Sequence, residues 1–314
     1  MKNNKKHAII GVDIGGTKTA VVLASLNAQI ISRIEFATGA DRDFPIYFGD
    51  LELHIQQIFS LSEYEIKAIS VSIGGPLDVM SGVIKSPPNL PRWVNVPLKK
   101  ILKERFNVPV YIEHDGNAGA LAEYFFGAGV GCKNLVFLTL GTGFGAGIIL
   151  DGRLYRGTTF LAGEIGHIRA AEFGPEAYGK TGSFEAYCSG SGMSKLSAVM
   201  FPERWPDGIS ARKLGELAFQ GDTDAISVLH QSGKYLGRAF ALIADILNPE
   251  MIILGPLGFR LGQFILGPAM EEFKKEALDD AFNVCRVVPA KLGEEIGDIA
   301  SICAALDQGE LYKP

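Results

Sequence analysis

No apolar run in the 314 residues approaches the ~18 needed to cross a bilayer, so no membrane partner is expected. The richest helical stretch, 235–247, carries Arg238 and Asp245 and reads as a buried helix. Basic blocks are also lacking. The 30 Lys and Arg residues against 35 Asp and Glu leave a net charge of −5, which excludes the electrostatic footprint of a nucleic-acid binder. Lys2, Lys5 and Lys6 form a short basic start, but no apolar stretch separates them from the first predicted strand; they read as a frayed terminus rather than a targeting segment. Cysteines are few and unpaired in spacing: Cys132, Cys188, Cys285 and Cys303 are widely scattered, so reduced thiols and a cytoplasmic location are expected. Low-complexity tracts, floppy linkers and short-period repeats are absent as well.

What is present is the composition of a globular protein, 47% hydrophobic and 21% charged, with a length that points to about two domains. Two glycine-rich turns lie between apolar β-runs at matching places in the two halves. The first is Asp13-Ile14-Gly15-Gly16-Thr17-Lys18, between 8–12 and 19–24; the second is Leu140-Gly141-Thr142-Gly143-Phe144-Gly145, between 135–139 and 146–150. A turn without side chains lets backbone N–H groups approach an anion, and threonine adds a hydroxyl donor. One Gly-Gly hairpin is an ordinary turn. Two, each beside threonine, point to a nucleotide held by its phosphates and hence to phosphoryl transfer.

The first half reads as a three-stranded meander (7–12, 19–24, 30–35), a helix at 50–61, a strand at 66–73, a proline loop at 86–91, a helix at 96–106, a strand at 108–114 and a helix at 116–127. In the second half a meander at 135–139, 146–150 and 153–155, turning at Asp151-Gly152, precedes helices at 210–219 and 225–247. A strand at 251–254, a helix at 266–278, a strand at 285–289 and a final helix at 299–308 follow. This is a duplicated βββαβα plan. The expected domains are 1–118, with a C-terminal helix at about 298–314 packing back, and 119–297; the cleft separating them is the expected site.

Asp115 ends a strand and precedes a helix, so its carboxylate stands at an element edge, where it serves either as general base or as helix cap. Asp13 opens the first turn, either as an acidic group that reaches phosphates through Mg²⁺ or as a plain turn aspartate. Lys18 either touches phosphate or is solvated. Glu164 and His167, in Gly163-Glu164-Ile165-Gly166-His167, converge with Glu185 as groups suited to sugar hydroxyls; each alone also fits a surface or helix-start role. Gly255 and Gly258, after the strand at 251–254, leave room for an adenine ring, although glycine after a strand is common.

Together these segments resemble the ROK family of sugar kinases and sugar-responsive repressors, on the actin-like, ribonuclease H-like ATPase fold. The resemblance rests on Asp13-Ile-Gly-Gly-Thr-Lys, Gly75-Pro76-Leu-Asp78, Pro88-Asn89-Leu90-Pro91, Asp115-Gly-Asn117-Ala-Gly-Ala-Leu-Ala-Glu123, Leu140-Gly-Thr-Gly-Phe-Gly, Gly163-Glu-Ile-Gly-His167 and Asn248-Pro-Glu. It implies ATP- and Mg²⁺-dependent phosphorylation of a hexose at its 6-hydroxyl, with Asp115 as base. Gly15, Gly16, Thr17, Lys18, Gly141, Thr142, Gly143, Gly255 and Gly258 would face the nucleotide, and Asp13 the Mg²⁺. Gly75, Asn89, His114, Asp115, Glu164, His167 and Glu185 would face the sugar. Glucose leads the candidates, followed by an N-acetylhexosamine, and a homodimer is implied.

Two departures stand out. Most members follow the Gly-Glu-Ile-Gly-His motif with a Cys-x-Cys-Gly-x-x-Gly-Cys-Leu-Glu run whose thiolates share a structural zinc with the motif histidine. Here Glu176, Tyr178 and Ser183 replace the cysteines, and no structural zinc is expected. His114 stands where the family usually has asparagine, a bulkier group that titrates near neutrality. Three competing readings are a sugar-binding repressor, which would need a DNA-binding domain ahead of Asp13, an actin- or chaperone-type ATPase, and a sugar-binding protein without turnover.

Overall fold

A computed structural model describes residues 6–39, 41–61 and 63–312. Lys2, Lys5 and the last two residues of the helix expected at 298–314 lie outside them. The chain divides into two compact units, residues 1–126 with 294–314, and residues 127–293.

The first unit is built on strands β1 (Lys6–Ile14), β2 (Lys18–Ser25), β3 (Ile30–Ala37), β4 (Tyr64–Ile73) and β7 (Val110–His114), in the order β3-β2-β1-β4-β7. The first three form an antiparallel meander, whereas β1, β4 and β7 run parallel. Residues 8–10 and 21–24 are wholly buried; strands covered on both faces read as continuous apolar runs rather than alternating ones. Between β4 and β7 come a two-stranded hairpin, β5 (Leu77–Asp78) with β6 (Val83–Ile84), and helix α2 (Leu98–Phe106). Helix α1 (Phe44–Phe59) begins six residues before the expected position, because Pro45 fits a first helical turn and the rings of Phe44 and Tyr47 pack on Trp93 at 5.2 and 4.5 Å. Helix α3 (Asp115–Phe126) follows β7 without a break. The chain's last helix, α11 (Ile296–Gln308), packs on β1, β4 and α3, and its residues 299–306 are buried.

Register decides what this sheet presents. Asp13 pairs with Ser72, and Ile73 with His114, so Asp13, Gly74 and Asp115 emerge at the carboxyl ends of three parallel strands. That edge is where open α/β sheets hold ligands.

The second unit repeats the order. Strands β8 (Leu135–Leu138), β9 (Ala146–Leu150), β10 (Arg153–Leu154), β13 (Met251–Leu254) and β14 (Arg286–Pro289) lie as β10-β9-β8-β13-β14, with a meander first and the last two parallel to β8. Asp151 and Gly152 both have positive φ, +50° and +74°, as a type I′ turn requires. A hairpin, β11 (Glu176–Ala177) with β12 (Lys180–Thr181), precedes helices α4 (Phe184–Cys188), α5 (Gly190–Met200), α6 (Ala211–Phe219) and α7 (Thr223–Leu247). Helices α8 (Pro256–Arg260), α9 (Gly262–Glu276) and α10 (Asp279–Val284) follow β13. The α/β plan with its duplicated βββαβα order is thus present in both units. Among the described residues, no helix is long and apolar enough to cross a membrane.

Candidate active site

In the first unit, the turn after β1 closes through the Gly15 N–H, which donates to the Lys18 carbonyl at 3.0 Å. Beneath it lies a buried chain of hydroxyls that sequence reasoning did not single out. Thr38 Oγ1 donates to the Gly15 carbonyl at 2.7 Å and meets Thr19 Oγ1 at 2.8 Å; Thr19 in turn meets the Tyr47 hydroxyl at 3.1 Å. These bonds fix the turn's backbone from below, leaving Gly16 and Thr17 at its tip. The Lys18 ammonium is engaged by Glu35 at 3.0 Å. Asn89, from the proline loop, packs on Gly16.

Asp13 lies half-buried, with Ser72 as a hydrogen-bond partner. Its pKa is pushed up to about 7 by burial first, then by the nearby carboxylates Asp115 and Asp298, against smaller opposing effects of Ser72 and Lys18. The start of α11 lies against the same group: a methyl group at Gly297 would stand 2.8 Å from Asp13 Oδ2, so a side chain there would displace the carboxylate. Asp115 is exposed. Its Oδ1 accepts the N–H of the next residue, Gly116, at 2.7 Å, and Oδ2 is left facing the Gly74 side of the edge. The His114 ring occupies the space a side chain at Gly75 would need. Its Nε2 is buried and, among the described residues, lacks a hydrogen-bond partner.

In the second unit, the Gly141–Gly145 turn is stapled on several sides. Gly141 N–H donates to the Gly143 carbonyl at 3.1 Å, and Gly145 N–H donates to Thr139 Oγ1 at 2.9 Å. Ser191 N–H and Oγ both donate to the Thr142 carbonyl, at 3.2 and 2.9 Å. The loop holding Gly255 and Gly258 runs beside this turn: Gly255 and Leu257 N–H groups donate to the Leu138 and Leu140 carbonyls, and Gly258 N–H closes back on Gly255. Glu185, at the start of α4, accepts the Phe144 N–H at 3.1 Å. Burial raises its pKa, the Phe144 bond opposes that, and Glu164 adds to it. Gly163 accepts the Ala146 N–H at 2.8 Å, which lays the segment 164–167 along the outgoing strand and brings the Glu164 charge within reach of Glu185. Glu164 and His167 are exposed.

The loop where the family motif places cysteines takes another form. Glu176 opens β11, Tyr178 sits at φ +50° in the hairpin turn, and Ser183 caps α4 by accepting the Ala186 N–H. Three cations grip main-chain carbonyls around it: Lys180 on His167 at 2.6 Å, Arg169 on Thr181 at 2.7 Å and Lys195 on Glu176 at 2.7 Å. Among the described residues, no group of three His, Cys, Asp or Glu side chains could hold a metal ion. A single Mg²⁺ carried by a nucleotide needs only one or two carboxylates, and Asp13, crowded by Asp115 and Asp298, fits that demand.

Comparison with known proteins bears on what this arrangement serves. The family model described as "ROK family" matches residues 9–306. A glucokinase of Thermotoga maritima is 33% identical over 93% of this chain and 95% of its own length. A xylose repressor of Caldicellulosiruptor bescii is 28% identical over 96% of this chain and 79% of its own. Among solved structures, a ROK family glucokinase from Streptomyces griseus in complex with glucose and AMPPNP superposes with a TM-score of 0.79 at 29% identity, over 96% of this chain and 99% of that one. With a family model spanning nearly the whole sequence and a relative above 30% identity over nearly its full length, the chain belongs to the ROK family.

Proposed function

We propose that this chain transfers the γ-phosphoryl group of ATP to the 6-hydroxyl of a hexose, glucose first, with Asp115 as general base. The enzyme class, an ATP-dependent sugar kinase, rests on family membership, the identity to glucokinase, and the likeness to a glucokinase solved with glucose and AMPPNP. The finer reading is carried by one observation: an exposed carboxylate, Asp115, at the carboxyl edge of parallel strands, beside an Asp13 whose pKa has been lifted to about 7.

On this reading Asp115 accepts the hydroxyl proton while the sugar oxygen bonds to the γ-phosphorus and the bond to the bridging oxygen of ADP breaks. Gly15, Gly16, Thr17, Gly141, Thr142 and Gly143 hold phosphates, and Gly255 and Gly258 border the base. Asp13 holds Mg²⁺, which when bound neutralises charge on the phosphate oxygens. Glu164, His167, Glu185 and Asn89 bind sugar hydroxyls. The unpartnered His114 Nε2 takes another, because a buried polar atom gains most from a ligand that satisfies it. Lys18, whose ammonium pairs with Glu35 at 3.0 Å, borders the phosphates from the solvent side.

The repressor relative supports a second reading, sugar binding without turnover. A coupled ADP-release assay over glucose, fructose, mannose, allose, N-acetylglucosamine and N-acetylmannosamine separates the two. Glucose-dependent ADP release is expected. Release only with an N-acetylhexosamine would move the substrate, and calorimetric sugar binding without ADP release would establish the second reading.

A further inference from the structure

Immediately before His114 and Asp115, on the last strand of the first sheet, stands a carboxylate with no share in the proposed chemistry. Glu113 is wholly buried. A charge in that position is costly unless it is hydrogen-bonded, and its partners here include groups on both sides of Asp115. Oε1 accepts the backbone N–H of His114 at 3.1 Å and Nδ2 of Asn117 at 3.0 Å. Oε2 accepts Nε2 of Gln308 at 3.3 Å, and the same Gln308 nitrogen reaches the Ile112 carbonyl at 3.2 Å. One side chain therefore ties the residue before Asp115, a residue two positions after it, and the far end of α11.

Asn117 shows which way the constraint runs. Its Oδ1 is buried and, among the described residues, has no partner. Rotating the amide would turn that oxygen towards the Glu113 carboxylate, so the side chain keeps its nitrogen on Glu113 and leaves the oxygen unsatisfied. The start of α3, where Asp115 sits, is thus held from both sides by one acceptor. α11 also reaches the other carboxylate, since Gly297 at its start abuts Asp13.

We infer that Glu113, braced by Gln308, is a positioning residue for Asp115: it fixes the strand-to-helix junction and thereby the direction of the base. The inference rests on the proposed role of Asp115. A carboxylate accepting a proton in a transition state loses much of its effect when displaced by about 1 Å, whereas ground-state binding of sugar and nucleotide depends on many other groups.

The test uses the full chain and four variants. Glu113→Gln keeps the length but presents an amide N–H₂ to that of Gln308; Gln308→Met removes the brace only; Gln308→Glu in the Glu113→Gln background restores the bond with donor and acceptor exchanged; Asp115→Asn marks loss of the base. With saturating glucose and ATP, Glu113→Gln is expected to lower kcat roughly 10- to 100-fold with KM for both substrates within about threefold. Gln308→Met should lower it less, and the exchanged pair, which restores the side-chain bond but leaves the Ile112 carbonyl without its donor, should recover part of the loss. Equal rates in Glu113→Gln and the parent, or a loss residing in KM alone, overturn the inference. If Asp115→Asn is inert while Glu113→Gln is fully active, only the positioning role falls; if Asp115→Asn turns over like the parent, the role of the base falls. Crystal structures of the parent and of both the Glu113 and Gln308 single variants decide independently of turnover: Asp115 should shift or split into conformers, and an unmoved carboxylate in both refutes the inference.

Discussion

A sugar hydroxyl is a poor nucleophile at neutral pH, so the residue that takes its proton carries much of the rate. Asp115→Asn keeps an oxygen for the Gly116 N–H and removes the basic one. The variant should fold, bind nucleotide by calorimetry, and lose about 10²–10⁴-fold in kcat; turnover near the parent's would remove the assignment. Asp13 offers a separate handle through pH. Its folded pKa, about 7, lies above its unfolded value, so its contribution to stability is fully present at low pH and is lost as pH rises towards and through about 7. Asp13→Asn escapes that loss. Without ligands, its melting temperature should match the parent's near pH 4 and exceed it near pH 8, while Mg²⁺-dependent nucleotide binding falls away. Identical pH profiles for the two proteins would contradict the crowding of carboxylates at that strand end.

At the scale of elements, the hairpin at Glu176–Thr181 is the departure most open to experiment. Lys180, Arg169 and Lys195 hold its surrounding carbonyls, so elemental analysis of purified protein should find no stoichiometric zinc, and one zinc per chain would refute that prediction. Lys180→Met frees the His167 carbonyl; a loss on the order of 1 kcal/mol for an exposed charged hydrogen bond corresponds to about a fivefold rise in KM for sugar, with kcat little changed. Much of this architecture is legible in the letters. β1, β8 and β13 are continuous apolar runs that lead into glycine turns, and the positions of Asp13 and Asp115 at strand ends follow from β1 and from the apolar run of β7. Helices α4 and α5 are not legible, because Cys188-Ser189-Gly190-Ser191-Gly192 looks like loop. The structure starts α5 there by letting Ser189 cap the Gly192 N–H. Glu113 is hidden for another reason: a period-two reading of β7 records which face a residue takes, but a buried carboxylate makes sense only once Gln308, nearly two hundred residues away, is beside it.

For the whole molecule, the two sheets share one strand order, and a ligand that binds the folded chain alone must stabilise it. Glucose at 100 times its Kd should add about 2.7 kcal/mol, a rise of a few degrees in melting temperature. Asp115→Asn should show the same rise, separating binding from turnover; a parent protein indifferent to every hexose tested would argue against the sugar site. Light scattering is expected to give twice the chain mass, as a homodimer requires, and a monomer at all concentrations would exclude it. The two units also differ in how they are cut from the chain. The second is continuous, but the first is completed by α11, whose residues 299–306 are buried against β1 and β4, strands made some two hundred residues earlier or more. On a ribosome the sheet of residues 6–114 must wait, uncovered along that helix's groove, until residues 296–308 have been made. A nascent chain halted short of residue 296 should accordingly be protease-sensitive in its earliest segment while residues 127–293 already resist.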